Sequence, residues 1–190
     1  MNQCVTGNLR KMLVSLPMNG DGTADYQLVV GEEQLSLNQY LNHELSLTFT
    51  GKINCIHCGR KSNKSFSQGY CYPCFKSLAR CDQCIMKPEN CHFHLGTCRE
   101  PDWAQEYCMQ DHYVYLANSS GVKVGITRGD QIPIRWIDQG ASQALAVYRV
   151  KNRYLSGLVE VLFKEHVSDR TNWRAMLKGS PELQDLHAIA

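Results

Sequence analysis

Three Cys-x-x-Cys pairs, Cys55/Cys58, Cys71/Cys74 and Cys81/Cys84, are followed at once by Cys91 and Cys98, so eight of the chain's ten cysteines crowd into one short stretch. The stretch is rich in Gly, Pro, Lys and aromatic residues and lacks aliphatic periodicity. It cannot bury enough apolar surface to fold by itself, so bound metal has to supply much of its folding free energy. Cys55-x₂-Cys58-x₁₂-Cys71-x₂-Cys74 offers four thiolates, a closed tetrahedral set for Zn²⁺. With no place left for water, such a site is structural rather than catalytic. Gly59, directly after Cys58, suits a knuckle in which backbone N–H groups turn toward sulfur.

A second Zn²⁺ site is expected further on, which makes the zinc count one or two. Cys81, Cys84, Cys91 and Cys98 form one candidate set; in another, Cys91-x₂-His94 provides the second pair and Cys98 is left out. Cys108 and His112 belong to the same pool. His57 and His92 read as bystanders, since a lone histidine is more often hydrogen-bonded or solvated than ligating.

Composition adds boundaries. The 190 residues carry a net charge of +2, which permits nucleic-acid binding without demanding it. The start of the chain lacks a basic run followed by an apolar core, and no apolar run approaches the roughly 20 residues of a membrane-spanning helix. The expectation is a cytoplasmic protein without membrane contact, where thiols stay reduced and clustered pairs favour metal over disulfides. The oligomeric state is left open.

The patterning divides the chain into a small β segment (1–50), the zinc-binding Cys-rich segment (51–110) and an α/β domain (111–190), an α+β chain overall. In the first, Leu9 to Leu16, Tyr26 to Val30 and the alternating Leu45 to Thr50 predict strands, with a turn at Pro17 to Gly22. In the last, His112 to Ala117 and Val122 to Thr127 predict a hairpin closed by Asn118-Ser119-Ser120-Gly121. A helix over 132–143, a strand from Leu145 to Val150 and a helix from Tyr154 to Val167 follow. Two short helices, one from Asn172 to Gly179 and one from Pro181, complete the reading.

Alternation along the hairpin puts Tyr113, Tyr115, Lys123 and Thr127 on one face if the apolar residues share the other. Arg135 and Glu160 follow on the two helices. Around the first zinc set lie Lys52, Arg60, Lys61, Lys64, Lys76 and Arg80, with Phe66, Tyr70, Tyr72 and Phe75 among them, a mixture able to meet phosphate and stack bases.

Tyr113-Val114-Tyr115, the short turn, Lys123-Val124-Gly125-Ile126-Thr127, then Arg135 and Glu160 resemble the GIY-YIG endonuclease domain over roughly residues 112–177. The resemblance implies a three-stranded antiparallel sheet flanked by helices and an activity of phosphodiester hydrolysis. It implies catalytic roles for Tyr115, Lys123, Arg135 and Glu160: Tyr115 activates water, Arg135 neutralises phosphate and Glu160 holds Mg²⁺ or Mn²⁺. Lys123 stands where that family has its second tyrosine, and Tyr113 where it has its first glycine. The whole chain also resembles an uncharacterised bacterial family that joins a zinc-ribbon segment to such a domain, through Cys71-Tyr72-Pro73-Cys74-Phe75, Ile134 to Gly140 and Thr171-Asn172-Trp173-Arg174. Two functions follow as expectations: a zinc-stabilised nucleic-acid-processing nuclease, or a non-catalytic zinc-dependent module binding nucleic acid or protein.

Overall fold

The computed structural model describes residues 4–17 and 22–190. The chain is α+β and divides into two compact units, Met1–Ser77 and Leu78–Ala190, the division falling inside the Cys-rich segment.

In the first unit, β1 (Leu13–Ser15), β2 (Asp25–Val30) and β3 (Glu33–Ser36) form an antiparallel sheet in sequential order. Val14 lies opposite Tyr26, and Leu28 opposite Leu35. Every residue of β2 is half-buried, as expected of a thin sheet with little chain to cover it. The strand expected over Leu9 to Leu16 shortens to β1, with Leu9 making a single bridge to Val30. Most of the turn expected between Pro17 and Gly22 lies outside the described residues.

Leu45 to Thr50 forms no strand. Leu47 is 82% exposed and Phe49 74%, because alternation provides a face but nothing lies beside it to complete a ladder. The chain then enters the hairpin that carries Cys55 and Cys58, and α1 (Tyr72–Ser77) starts with Pro73 in its first turn. The nearby aromatics pack on one another: Phe66 stacks on Phe75 at 5.6 Å and tilts against Tyr72 at 5.4 Å.

The second unit opens with single turns, among them α2 (Gln83–Met86), and then α3 (Pro101–Tyr107). Its sheet has the order β5-β4-β6, all antiparallel, with β4 (His112–Asn118) between β5 (Val122–Arg128) and β6 (Gln143–Val150). The central strand is the core: Val114, Tyr115, Leu116 and Ala117 are all fully buried. Val114 and Leu116 pack with Val124 beneath Val159 and Phe163 of α5 (Arg153–Phe163), and Leu186 completes the cluster.

Helices end sooner than periodicity implied. The helix expected over 132–143 is one turn, α4 (Ile134–Ile137), because Gly140 (φ +63°) turns the chain back into β6. α5 is capped by Asn152, whose side chain accepts from the Leu155 N–H at 2.9 Å, and stops at Phe163 rather than Val167. The two C-terminal helices contract to α6 (Trp173–Met176), capped by Asn172, and α7 (Leu186–Ile189), capped by Asp185 rather than starting at Pro181. Among the described residues, no helix is long and apolar enough to cross a membrane.

Candidate functional site

The first unit carries a four-sulfur centre. Cys55, Cys58, Cys71 and Cys74 converge with all four sulfurs within 4.8 Å of one another, and Cys58 Sγ lies 3.7 Å from Cys71 Sγ. The hairpin that does this is local: the Cys55 N–H donates to the Arg60 carbonyl, and the Gly59 N–H returns to the Cys55 carbonyl at 2.9 Å. Gly59 holds φ +72°, the left-handed geometry that turns the chain after the second thiol.

The thiols differ in how easily they ionise. Burial opposes charge on Cys55, yet the backbone N–H groups of Cys58, Cys71 and His57 outweigh it and bring the thiol down to about 6. Burial and the neighbouring sulfurs push Cys74 up to about 12. One sulfur is thus readily a thiolate, while a tightly grouped companion cannot join it without a compensating cation. The four convergent sulfurs could hold a metal ion such as Zn²⁺ in a closed tetrahedral set.

Of the expected second zinc set, Cys91 and Cys98 lie close enough to Cys84 to act on its charge, as does Cys108. Of Cys81, Cys84, Cys91, His94 and Cys98, only Cys84 enters a converging group, and its companions are Asp82 and His92. Cys81 is buried in a turn, Cys91 and Cys98 are half-buried, and the His94 ring tilts against Tyr154 at 5.8 Å. Pair spacing alone overlooked the carboxylate between the two cysteines of the third pair.

The second unit contains a cleft of about 350 Å³, and Tyr115, Lys123, Arg135 and Glu160 all line it. The register explains the convergence. Tyr115 stands opposite Gly125 and Ala117 opposite Lys123, so the polar face of the hairpin is shared, as alternation implied. α4 brings Arg135 and α5 brings Glu160 to the same opening.

Tyr115 forms the floor at 0% exposure, its hydroxyl donating to Gln139 Oε1 at 3.0 Å and its ring edge-on to Trp136. Burial raises the Tyr115 phenol, against the pull of the Arg135 charge, so it keeps its proton at neutral pH. Lys123 donates Nζ to Thr171 Oγ1, and burial followed by Arg135 lowers its ammonium. Burial raises the Glu160 carboxyl more than Lys164 lowers it. The Lys164 ammonium bridges two carboxylates, 3.5 Å from Glu160 and 3.2 Å from Asp169.

Arg128, Arg135, Arg153 and Lys123 face Glu160 and Asp169 across the cleft, a cationic excess that favours anions. Arg128 also lies over the Tyr107 ring at 4.9 Å, with Tyr107 stacked on Trp103.

A family model matches residues 42–190, under the description of a protein of unknown function, DUF2797. The chain belongs to the DUF2797 family. No curated protein and no solved structure matches it. The matched span holds the four-cysteine centre, the Asp82–Cys84–His92 group and the whole cleft, while β1 to β3 lie ahead of it.

Several cleft residues escaped sequence reasoning. Arg153 stands seven positions before Glu160, two helical turns along the same face, a relation the 3.6-residue period contains. Its guanidinium donates to the Ile85 carbonyl at 2.7 Å. Asp169 sits outside regular elements, so no periodicity marked it, and Gln139 lies past the end of α4 rather than inside the expected helix.

Proposed function

We propose that this DUF2797 protein is a zinc-stabilised nucleic-acid-processing protein whose cleft binds a phosphodiester and hydrolyses it in the manner of the GIY-YIG endonucleases. The observation that carries the reading is the convergence of Tyr115, Lys123, Arg135 and Glu160 on one cleft of phosphate-attracting charge. The four-cysteine centre suits structural Zn²⁺. Its reduced thiols suit a cytoplasmic location.

Arg135 offers a planar fork to phosphate oxygens, and Lys123 adds a point charge beside it. Tyr115, neutral and donating to Gln139, keeps oxygen lone pairs that accept a hydrogen bond from the attacking water and orient it. Glu160 is the carboxylate suited to a hard cation, Mg²⁺ or Mn²⁺, which would supply charge neutralisation at phosphate oxygens. Lys164 has to yield one of its two carboxylates for that to happen.

A second reading rests on that same Lys164 bridge and on the complete burial of Tyr115: a module that binds nucleic acid without cutting it. Incubating the full chain with labelled DNA and RNA panels plus Mg²⁺ or Mn²⁺ separates the two. Cleavage lost in Glu160→Ala supports hydrolysis. Salt-sensitive binding without cleavage, weakened by Arg135→Ala, supports the module. Equal cutting by wild type and Glu160→Ala removes Glu160 from the mechanism, and absence of both binding and cleavage overturns both readings.

A further inference from the structure

Asp82, Cys84 and His92 each present one donor atom, and all three atoms lie within 4.8 Å of one another. The group belongs to the second unit and shares no residue with the four-cysteine centre. Asp82 and His92 are each held in place by a partner outside the group.

Asp82 caps α2, its Oδ1 accepting from the Cys84 N–H at 3.3 Å. Its other oxygen is held by Arg99 Nε at 2.6 Å, and Arg99 in turn donates to the Leu78 carbonyl. Arg99 therefore secures Oδ2 and leaves Oδ1 turned toward the group. On the histidine, Nδ1 meets Thr97 Oγ1 at 2.7 Å, and the Thr97 hydroxyl donates to the His92 carbonyl at 3.3 Å. With that proton committed, Thr97 accepts from Nδ1–H, which leaves Nε2 as the ring atom turned toward the group.

Nε2 faces Asp82 Oδ1 at 3.6 Å. The ring nitrogen, the carboxylate oxygen and the Cys84 sulfur thus face one another across one small space. An imidazolium–carboxylate hydrogen bond would close to about 2.7–2.9 Å, so 3.6 Å is too long for that contact. Donors sharing one tetrahedral Zn²⁺ stand about 3.3–3.8 Å apart, which follows from bond lengths of about 2.0–2.3 Å. The separation matches the second case. A ring whose far nitrogen is pinned by a hydroxyl, and a carboxylate whose far oxygen is pinned by an arginine, is the outer-shell support that metal ligands require.

We propose that Asp82, Cys84 and His92 form a second metal site, taking Zn²⁺ through one oxygen, one sulfur and one nitrogen with a fourth place left to solvent. Among the described residues, no other Cys, His, Asp or Glu joins all three within the same distance, so this site is open where the four-cysteine centre is closed. Ile85 and Met86, which directly follow Cys84, line the cleft, and Arg153 is bonded to the Ile85 carbonyl. An ion here would fix the turn that forms one cleft wall. The inference stands apart from the hydrolase reading, since it concerns metal content alone.

Elemental analysis of the full chain purified with zinc tests it. Two zinc ions per wild-type chain are expected, falling to one in His92→Ala and in Asp82→Asn. Release to a chromogenic chelator should be biphasic in wild type, with one equivalent leaving quickly from the open site and that phase missing in Asp82→Asn. A wild-type chain holding one zinc, a single release phase, or two zinc ions retained in Asp82→Asn overturns the proposal. Should His92→Ala fail to fold, the wild-type count and the release phases still decide.

Discussion

The phenol of Tyr115 lies across the backbone of Gly125, its directly paired neighbour on β5. A Cβ at position 125 would come within 2.7 Å of both Cζ and Oη of that ring. Glycine here is therefore a packing requirement, and the space it leaves is filled by the floor of the cleft. Gly125→Ala should push the phenol off Gln139 and destabilise the protein by about 1–3 kcal/mol, the usual cost of overpacking a buried site. Urea unfolding measures the loss. An unchanged midpoint would mean the ring has another position, and the cleft floor would need redrawing.

Glu160 makes stability depend on pH in a fixed direction. Burial, resisted by Lys164, raises its carboxyl above the unfolded value, so the native state holds that proton more tightly. The resulting stabilisation is complete below the ordinary glutamate pKa and fades as pH rises through the raised one. Glu160→Gln cannot ionise, so its stability relative to wild type should climb from acid toward neutral pH. Urea midpoints across that range give the comparison, and parallel curves for the two proteins would refute it.

How much of this was legible in the sequence depended on which physical signal each feature left. The four-cysteine centre was readable because pair spacing of thiolates is a one-dimensional record of a tetrahedron. The hairpin face was readable because the period of a strand is two, which placed Tyr115, Lys123 and Thr127 together before any fold was known. Leu45 to Thr50 misled for the opposite reason: alternation registers a face but cannot report whether a neighbouring strand exists. The Asp82–Cys84–His92 group was out of reach because its carboxylate looks like any helix cap and its histidine is brought in by a turn with no pattern.

Gly157 sets two effects against each other. In an exposed helix interior, replacing Gly with Ala gains about 1 kcal/mol. In α5, a Cβ at 157 would sit 2.6 Å from the Glu89 backbone nitrogen and 2.6 Å from Pro88 Cβ, where the helix packs on the turn at Pro88. Backbone cannot step aside as a flexible side chain does, so overpacking of about 1–3 kcal/mol should outweigh the propensity gain. Gly157→Ala is expected to lower the melting temperature, and a rise would show that α5 can shift away from the turn.

Removing the first metal should act on folding rather than chemistry. The four convergent sulfurs could hold one Zn²⁺, and the chain around them has little apolar burial to replace it. Cys71→Ser deletes a fully convergent donor and leaves three sulfurs without closed coordination. The variant should lose one zinc per chain, and the hairpin from Asn54 to Tyr70 should become protease-sensitive because little apolar burial holds it otherwise. The β4–β5 hairpin has its own core of Val114, Leu116 and Val124 and should keep its amide protection. Hydrogen exchange followed by mass spectrometry resolves the two regions in one experiment. Uniform loss of protection across the chain would show that the metal supports both units, and no loss in the hairpin would show that the thiols fold without it.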